Sequence, residues 1–368
     1  MSALRVERRR VQHWDWVLTG IVAALVAMGL VNLISAAASG VEGGSDIVSR
    51  QTTVTGLGAL VIAIVVLIDY RHYDRFAYLI YGVAIALLLL TLAIADETRG
   101  ARAWLFSGRF QPSEVAKIGM AIALAHHFGR NPPATIRRVR DLVVPGLIVA
   151  LPVGLIVAQK DLGVAVLTLL IGLTVLPLVN VPLRVWVGLG MLGLAGLAAL
   201  WQFGLKAYQQ ERILGFLDPS RDPLSSGYQQ MQSRIAVGSG GLVGTGWQEG
   251  TQTQLRFLPT QHTDFIFSVL AEEWGFLGSV LALAAYAAML LWGLLIARSS
   301  KDTFGAVLAI ALVGTLLWPA AINVAMVLGL APVIGVPLPL FSYGGSALLS
   351  TAIVIGLLLN ISMRRYVF

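Results

Sequence analysis

Residues 14–38 read WDWVLTGIVAALVAMGLVNLISAAA, and no charge follows Asp15. A bilayer core is crossed by about 20 mostly apolar helical residues, and this run meets that length without presenting a polar face to water. Ala36, Ala37 and Ala38 resemble a signal-peptide cleavage site, but the apolar stretch exceeds the roughly 7–15 residues of a signal core. It is expected to stay in the membrane as a helix.

The same reading recurs along the chain, near 51–69, 76–95, 112–128, 142–159, 162–180, 185–204, 265–297, 304–330 and 345–363, for about ten spans in all. The run at 112–128 is short and carries Glu114 and Lys117; the run at 265–297 is long enough to tilt or to project. Composition agrees: of 368 residues, 57% are hydrophobic and only 12% charged, against about a quarter charged in soluble domains. The fold class expected is an all-α polytopic membrane protein forming one transmembrane domain over 1–368, with no soluble domain at either end.

A net charge of +7 would suit nucleic acid, but the basic residues sit at the ends of apolar runs and form no stripe, so no nucleic-acid partner is expected. Cysteine is absent, which removes disulfides, thiolate metal sites and a cysteine nucleophile. Arg5, Arg8, Arg9 and Arg10 precede the first span, Arg71 and Arg75 follow the second, and Arg130, Arg137, Arg138 and Arg140 follow the fourth. Arg184, Arg298, Lys301, Arg364 and Arg365 continue the alternation. The positive-inside rule makes that side cytoplasmic, both termini included, and leaves 39–50, 96–111, 205–263 and 331–344 outside. The stretch 205–263, between the seventh and eighth spans, is a long extracellular loop of a length that often carries function.

Ionisable groups at membrane depth are costly, and four outer places hold them. In the first, Arg102 and Trp104 precede QPSEVAK (111–117), where Pro112 suits a first helical turn and places Glu114 and Lys117 on one face. A structural ion pair and a substrate-orienting pair both fit this spacing, and Trp104 reads first as an interfacial anchor. In the second, Lys160 and Asp161 stand between two spans, as helix caps or, for Asp161, as a cation ligand. The third is the long loop, rich in glycine from Gly238 to Gly250 and carrying Arg212, Arg221, Arg234 and Arg256. Its glycines suit an anion-binding nest or ordinary turns, and its arginines suit phosphate or an interfacial helix. In the fourth, LPTQHTDFIFSVLA (258–271), a polar run enters an apolar helix with Asp264 at its first turn, either capping the helix or acting as a general base. Glu272 and Glu273, further in, are expected to include at least one ion-paired acid. Together these groups suit a lipid or lipid-linked phosphate at the outer leaflet without separating catalysis from transport.

At these residues the chain resembles the SEDS family of bacterial cell-wall polymerases over nearly its whole length. The resemblance rests on QPSEVAK (111–117), Asp161-Leu-Gly163, Gly238–Gly241 with GTQTQL (250–255), LPTQHTDFIFSVLA (258–271) and PLPLFSYGGS (337–346), in that order. The GTQTQL and HTDFIF segments are more similar to the elongation branch than to the division branch. The resemblance implies a multi-pass protein of the bacterial cytoplasmic membrane that joins lipid II into glycan strands outside it, with a class B penicillin-binding protein as partner. It places the family's essential aspartate at Asp264, proposed base on the acceptor sugar hydroxyl. Supporting or substrate-binding positions fall at Glu114, Lys117, Asp161 and Trp104, with Arg102, Arg212 and Ser346 beside them. Glu114 and Asp161 are the candidate ligands of a divalent cation, Mg or Mn. Thr260, Lys160 and Ala103 depart from the family's usual glutamate, proline and arginine. A lipid II flippase is the alternative of a different class; it needs polar groups through the membrane thickness, whereas these acids cluster outward.

Overall fold

The computed structural model describes residues 14–38, 44–97, 100–106, 108–132, 138–178, 182–199, 201, 202, 210, 214, 226–258 and 260–365. The described residues are almost wholly helical, with no strand beyond one isolated bridge between Leu105 and Phe110. We number the helices α1 (Trp16–Ala38), α2 (Gly44–Leu67), α3 (Tyr70–Arg75), α4 (Ala77–Ile94), α5 (Pro112–Arg130), α6 (Val143–Ala158) and α7 (Leu162–Leu173). They continue as α8 (Leu183–Ala199), α9 (Ser226–Ser239), α10 (Thr251–Gln254), α11 (Ile266–Arg298), α12 (Thr303–Val327) and α13 (Gly345–Arg364).

Every expected span has its helix, and α3, α9 and α10 lie in the connections. Among the described residues, seven helices are long and apolar enough to cross a membrane, namely α1, α2, α4, α6 together with the 3-10 turn that leads into it (Arg140–Ala158), α11, α12 and α13. The others fall short for visible reasons. α7 and α8 are short, and α5 is polar. The interior explains α5: its residues from Ala116 to His126 are continuously buried, and it packs against α4, α12 and α6. A helix enclosed by other helices needs no lipid-compatible surface, so it can keep Glu114 and Lys117.

The bundle is layered by burial. In α12 and α13, 61% and 67% of the apolar window is buried, against 22% in α2 and α4, which puts the first pair at the centre and the second at the lipid-facing rim. Exposed Leu57, Leu60, Leu79 and Leu89 on α2 and α4 are the expected rim of an integral membrane protein. Because lipid is as apolar as leucine, packing and polar ties must select helix neighbours. A Cβ on Gly172 of α7 would come within 2.6 Å of Val149 on α6. At one end of the bundle Arg364 meets Asp69 at 3.1 Å and Tyr70 donates to Asp302 at 2.6 Å. The other end gathers the connections 100–106 with 108–111, 159–161, 240–258 with 260–265, and 331–344.

α11 is not one straight helix. Gly275 has non-helical angles (φ 63°, ψ −160°) and breaks it. The segment 240–246 lies against the break and bonds to both halves. Thr245 N–H donates to Glu272 O at 3.0 Å and Gly246 N–H to Glu273 O at 3.2 Å, while Phe276 and Leu277 N–H groups donate to Gly241 O and Leu242 O at 2.9 and 3.1 Å. Gly244 (φ 91°) lies so close that a Cβ there would sit 2.0 Å from Glu273 O. Gly240 and Gly244 therefore serve a close backbone approach, each ideal Cβ falling 2.0 Å from a carbonyl oxygen of α11. Neither acid behind the break takes the expected ion pair among the described residues. Glu272 instead accepts from Gln252 N–H, Thr253 N–H and the Thr253 hydroxyl at 2.7, 3.1 and 2.7 Å, which caps α10, and Glu273 accepts from Ser35.

Candidate functional site

Asp264 stands just before α11. Phe265 occupies the N-cap position with no side-chain cap bond, so the helix starts without the aspartate as its capping residue. The loop that carries it is tied from several sides. Tyr343 N–H donates to His262 O at 2.9 Å, Ser342 Oγ to Thr263 O at 2.5 Å, Asn323 Nδ2 to Asp264 O at 2.8 Å and Asn32 Nδ2 to Ile266 O at 2.8 Å. Gln51 of α2 reaches the same loops, donating to Ser342 O at 3.1 Å. The imidazole of His262 packs edge-on to Tyr343 at 5.9 Å, and burial lowers its pKa below the ordinary value.

The second group is built on α5. Lys117 Nζ pairs with Glu114 Oε1 at 2.8 Å, and Ser350 of α13 donates to Glu114 Oε2 at 2.7 Å. Asp161 caps α7 by accepting from Val164 N–H at 3.2 Å, accepts from Gln111 Nε2 at 3.4 Å, and lies within electrostatic reach of both Lys117 and Glu114. Lys160 turns away and pairs with Glu97 at 3.0 Å. Ser346 accepts from Gln111 N–H at 3.2 Å and donates to Arg109 O at 2.8 Å, fixing residues 109–111 to the start of α13.

One loop separates the two groups. A Cβ on Gly163 would lie 3.0 Å from Ile334 O, and a Cβ on Gly335 would lie 3.5 Å from Asp264 Oδ2. Asp264 therefore faces the 331–337 connection from one side, and the turn after Asp161 meets it from the other.

Between α2, α4, α5 and α13 runs a cleft of about 1270 Å³. Its polar end is lined by Arg50, Gln51, Trp104, Arg109, Glu114, Thr263 and Ser346, and its deeper part by Ile80, Ile118, Ile122, Ile353 and Leu357. Thr263 brings the Asp264 loop to the polar end. Of the positions expected from sequence, Trp104, Glu114 and Ser346 line the cleft, Lys117 and Asp161 stand behind Glu114, and Asp264 does not line it, reaching its polar end only through the neighbouring Thr263. Arg102 is exposed, is held through its N–H to Gln159 O at 2.9 Å, and does not line the cleft. Arg212 and Arg221 lie outside the described residues. Arg50 and Arg109 were not singled out by sequence; each sits beside an apolar run, where a basic residue reads as an ordinary end marker.

Glu114 and Asp161 do not fit a divalent-cation site as arranged. Both oxygens of each carboxylate already face a lysine ammonium, a hydroxyl, an amide or a backbone N–H. Among the described residues no three acidic or histidine side chains gather for a metal.

The family model described as "Cell cycle protein", which covers FtsW, RodA and SpoVE, matches residues 15–367. The chain belongs to this family. It is 39% identical over 360 residues to the peptidoglycan glycosyltransferase MrdB of Escherichia coli (strain K12), covering 96% of this chain and 94% of that protein. To the peptidoglycan glycosyltransferase RodA of Treponema pallidum it is 31% identical, covering 97% and 99%. Among solved structures, a chain from a peptidoglycan synthase complex described as coordinating polymerization and crosslinking matches with a TM-score of 0.83 at 36% identity, covering 96% and 99%. The rod shape determining protein RodA of Thermus thermophilus matches with a TM-score of 0.72 at 34% identity, covering 96% and 98%.

Proposed function

We propose that this family member is a peptidoglycan glycosyltransferase that polymerises lipid II at the outer face of the bacterial cytoplasmic membrane during cell elongation. The observation that carries the reading is the cleft, cationic at one end and apolar along the rest. A lipid-linked sugar diphosphate has the same division, with a dianionic head and a polyprenyl tail. Arg50 and Arg109 supply donors for the diphosphate, because guanidinium groups match phosphate oxygens in charge and geometry. The isoleucines and leucine deeper in the cleft take the tail. With both termini cytoplasmic, as the basic connections favour, the polar end opens outward.

The acceptor sugar hydroxyl attacks the anomeric carbon of the donor. A new carbon–oxygen bond forms, the bond to the diphosphate oxygen breaks, and the diphosphate leaves with the electron pair. Asp264 takes the hydroxyl proton, and the arginines stabilise the negative charge that grows on the leaving group. Direct attack inverts the anomeric centre. Glu114, Lys117 and Asp161 hold the α5 wall of the cleft in place. Beyond the scattered hydroxyls of Thr53, Tyr73 and Ser350, the deeper lining is apolar and carries no charged group to pass a sugar head across the membrane, which supports polymerisation over a flippase role. A class B penicillin-binding protein is the partner we propose, as the crosslinking half of a synthase complex.

Asp264→Asn keeps the shape of the side chain and removes its basicity. In purified form with lipid II it is expected to make no detectable glycan, a loss of roughly 10²-fold or more. Polymerisation at the parental rate would end the assignment of the base. Polymer made by the parent in detergent, where no second compartment exists, would separate an enzyme from a flippase.

A further inference from the structure

We propose that Asn323 is a positioning residue for Asp264, holding the aspartate's own peptide carbonyl so that its carboxylate faces the reacting sugar. The inference rests on the reading of Asp264 as the base.

Asn323 lies on α12 in the otherwise apolar run PAAINVAMV (319–327) and is fully buried. A carboxamide inside a membrane bundle is costly, so its bonds matter. Its Nδ2 donates at 2.8 Å to Asp264 O and at 2.7 Å to Val336 O. A single NH₂ group thus joins the Asp264 loop to the connection whose Gly335 stands against the Asp264 carboxylate. Only an amide or a cation offers two hydrogens at this reach, and a cation would need a counter-charge. The amide oxygen is buried with no hydrogen-bond partner, so the side chain is oriented by what its nitrogen gives.

The neighbouring peptide is held in the same manner. Ser342 Oγ donates to Thr263 O at 2.5 Å and accepts from Leu338 N–H at 2.8 Å. Around α11's first turn, Ser268 N–H goes to Phe265 O at 3.0 Å. Asn323 therefore gives a donor to a carbonyl at the mouth of the helix, where unpaired carbonyls at membrane depth are unfavourable. It is not among the residues that line the cleft, so its effect reaches catalysis through the backbone of Asp264 and leaves substrate contacts alone.

The test compares Asn323→Leu, which keeps the volume and removes both donors, with Asn360→Leu. Asn360 is equally buried and donates to Val65 O at 2.7 Å at the far end of the bundle. Full-length proteins in detergent are assayed for lipid II polymerisation and thermal unfolding, with Asp264→Asn alongside. For Asn323→Leu we expect kcat at least tenfold lower with KM for lipid II within twofold, at an unfolding temperature no lower than that of Asn360→Leu, whose kcat stays within threefold of the parent. Asn323→Ser, with one donor, falls between. Parental kcat in Asn323→Leu, or a loss of kcat in both leucine variants that tracks their unfolding temperatures, overturns the positioning role. If Asn323→Leu fails to fold, Asn323→Ser decides alone: kcat lowered by more than threefold with KM for lipid II within twofold supports the positioning role, and kcat within threefold of the parent overturns it. Activity in Asp264→Asn overturns the base reading itself, whereas an inactive Asp264→Asn with a fully active Asn323→Leu overturns only the present inference.

Discussion

Replacing Lys117 by Met tests how the α5 wall is held. The Lys117 and Glu114 side chains are 8% and 12% exposed, so the pair is effectively buried and is not in the near-neutral class of surface bridges. At the observed 2.8 Å separation, Coulomb's law with an effective dielectric of about 20 gives an attraction of about 6 kcal/mol. Desolvation of the two charges cancels much of that, so the pair as a whole adds little to stability. Removing one member is different. In Lys117→Met the Glu114 carboxylate keeps the Ser350 hydroxyl, at 2.7 Å, but no charged partner from its own helix, and a stranded buried charge costs about 3–5 kcal/mol. Denaturation of the purified protein in detergent should show that loss for Lys117→Met. Glu114→Gln combined with Lys117→Met removes both charges and should recover most of it, giving a coupling energy of about 2 kcal/mol or more in the double-mutant cycle. A single variant as stable as the parent, or a double variant no better than the worse single one, would refute the argument that burial governs this pair.

Arg109→Ala should raise KM for lipid II by roughly 10- to 100-fold, the loss of a charged hydrogen bond of about 1.5–3 kcal/mol, while Arg102→Ala, outside the cleft, should leave KM unchanged; steady-state kinetics separates them. Gly244→Ala adds a Cβ 2.0 Å from Glu273 O at φ 91° and should lower stability by about 3 kcal/mol, whereas Gly238→Ala meets nothing within 4 Å and should be neutral in thermal unfolding. Burial depresses the His262 pKa, so the folded protein binds its proton less readily than the unfolded chain does. Stability is then level above the unfolded value of about 6.5 and falls as pH drops from there toward the lowered folded value. Unfolding temperature measured across that window should fall less steeply in His262→Gln.

The helical bundle was legible because apolar length is a strong signal and backbone groups in lipid must bond within their own segment. Even the weakest expected span, with Glu114 and Lys117, became α5, and its polarity marked a central helix. The Glu114–Lys117 pairing followed from their spacing on one turn. The cleft was not legible, because a leucine facing lipid and one facing a neighbour look alike in sequence. Arg50 and Arg109, on the outer side and outside the charge pattern that gave orientation, carried no local motif to single them out, and Asn323 was hidden by its apolar surroundings. The close approach of Gly240 and Gly244 was not legible because its partner, the break at Gly275, is a lone glycine in a long apolar run. Nothing local tells such a glycine from one that merely packs closely.

That break gives α11 an unusual dependence on a distant stretch of chain. The amides and carbonyls on either side of Gly275 find their partners in residues 241–246, so the two halves are spliced through a borrowed strip of main chain. Peeling the strip away would expose peptide groups on both pieces at once. Amide exchange at Thr245, Gly246, Phe276 and Leu277 should consequently proceed in a single shared opening event, and the nine residues from Ile266 to Trp274 that lead from the aspartate to the splice should loosen with it.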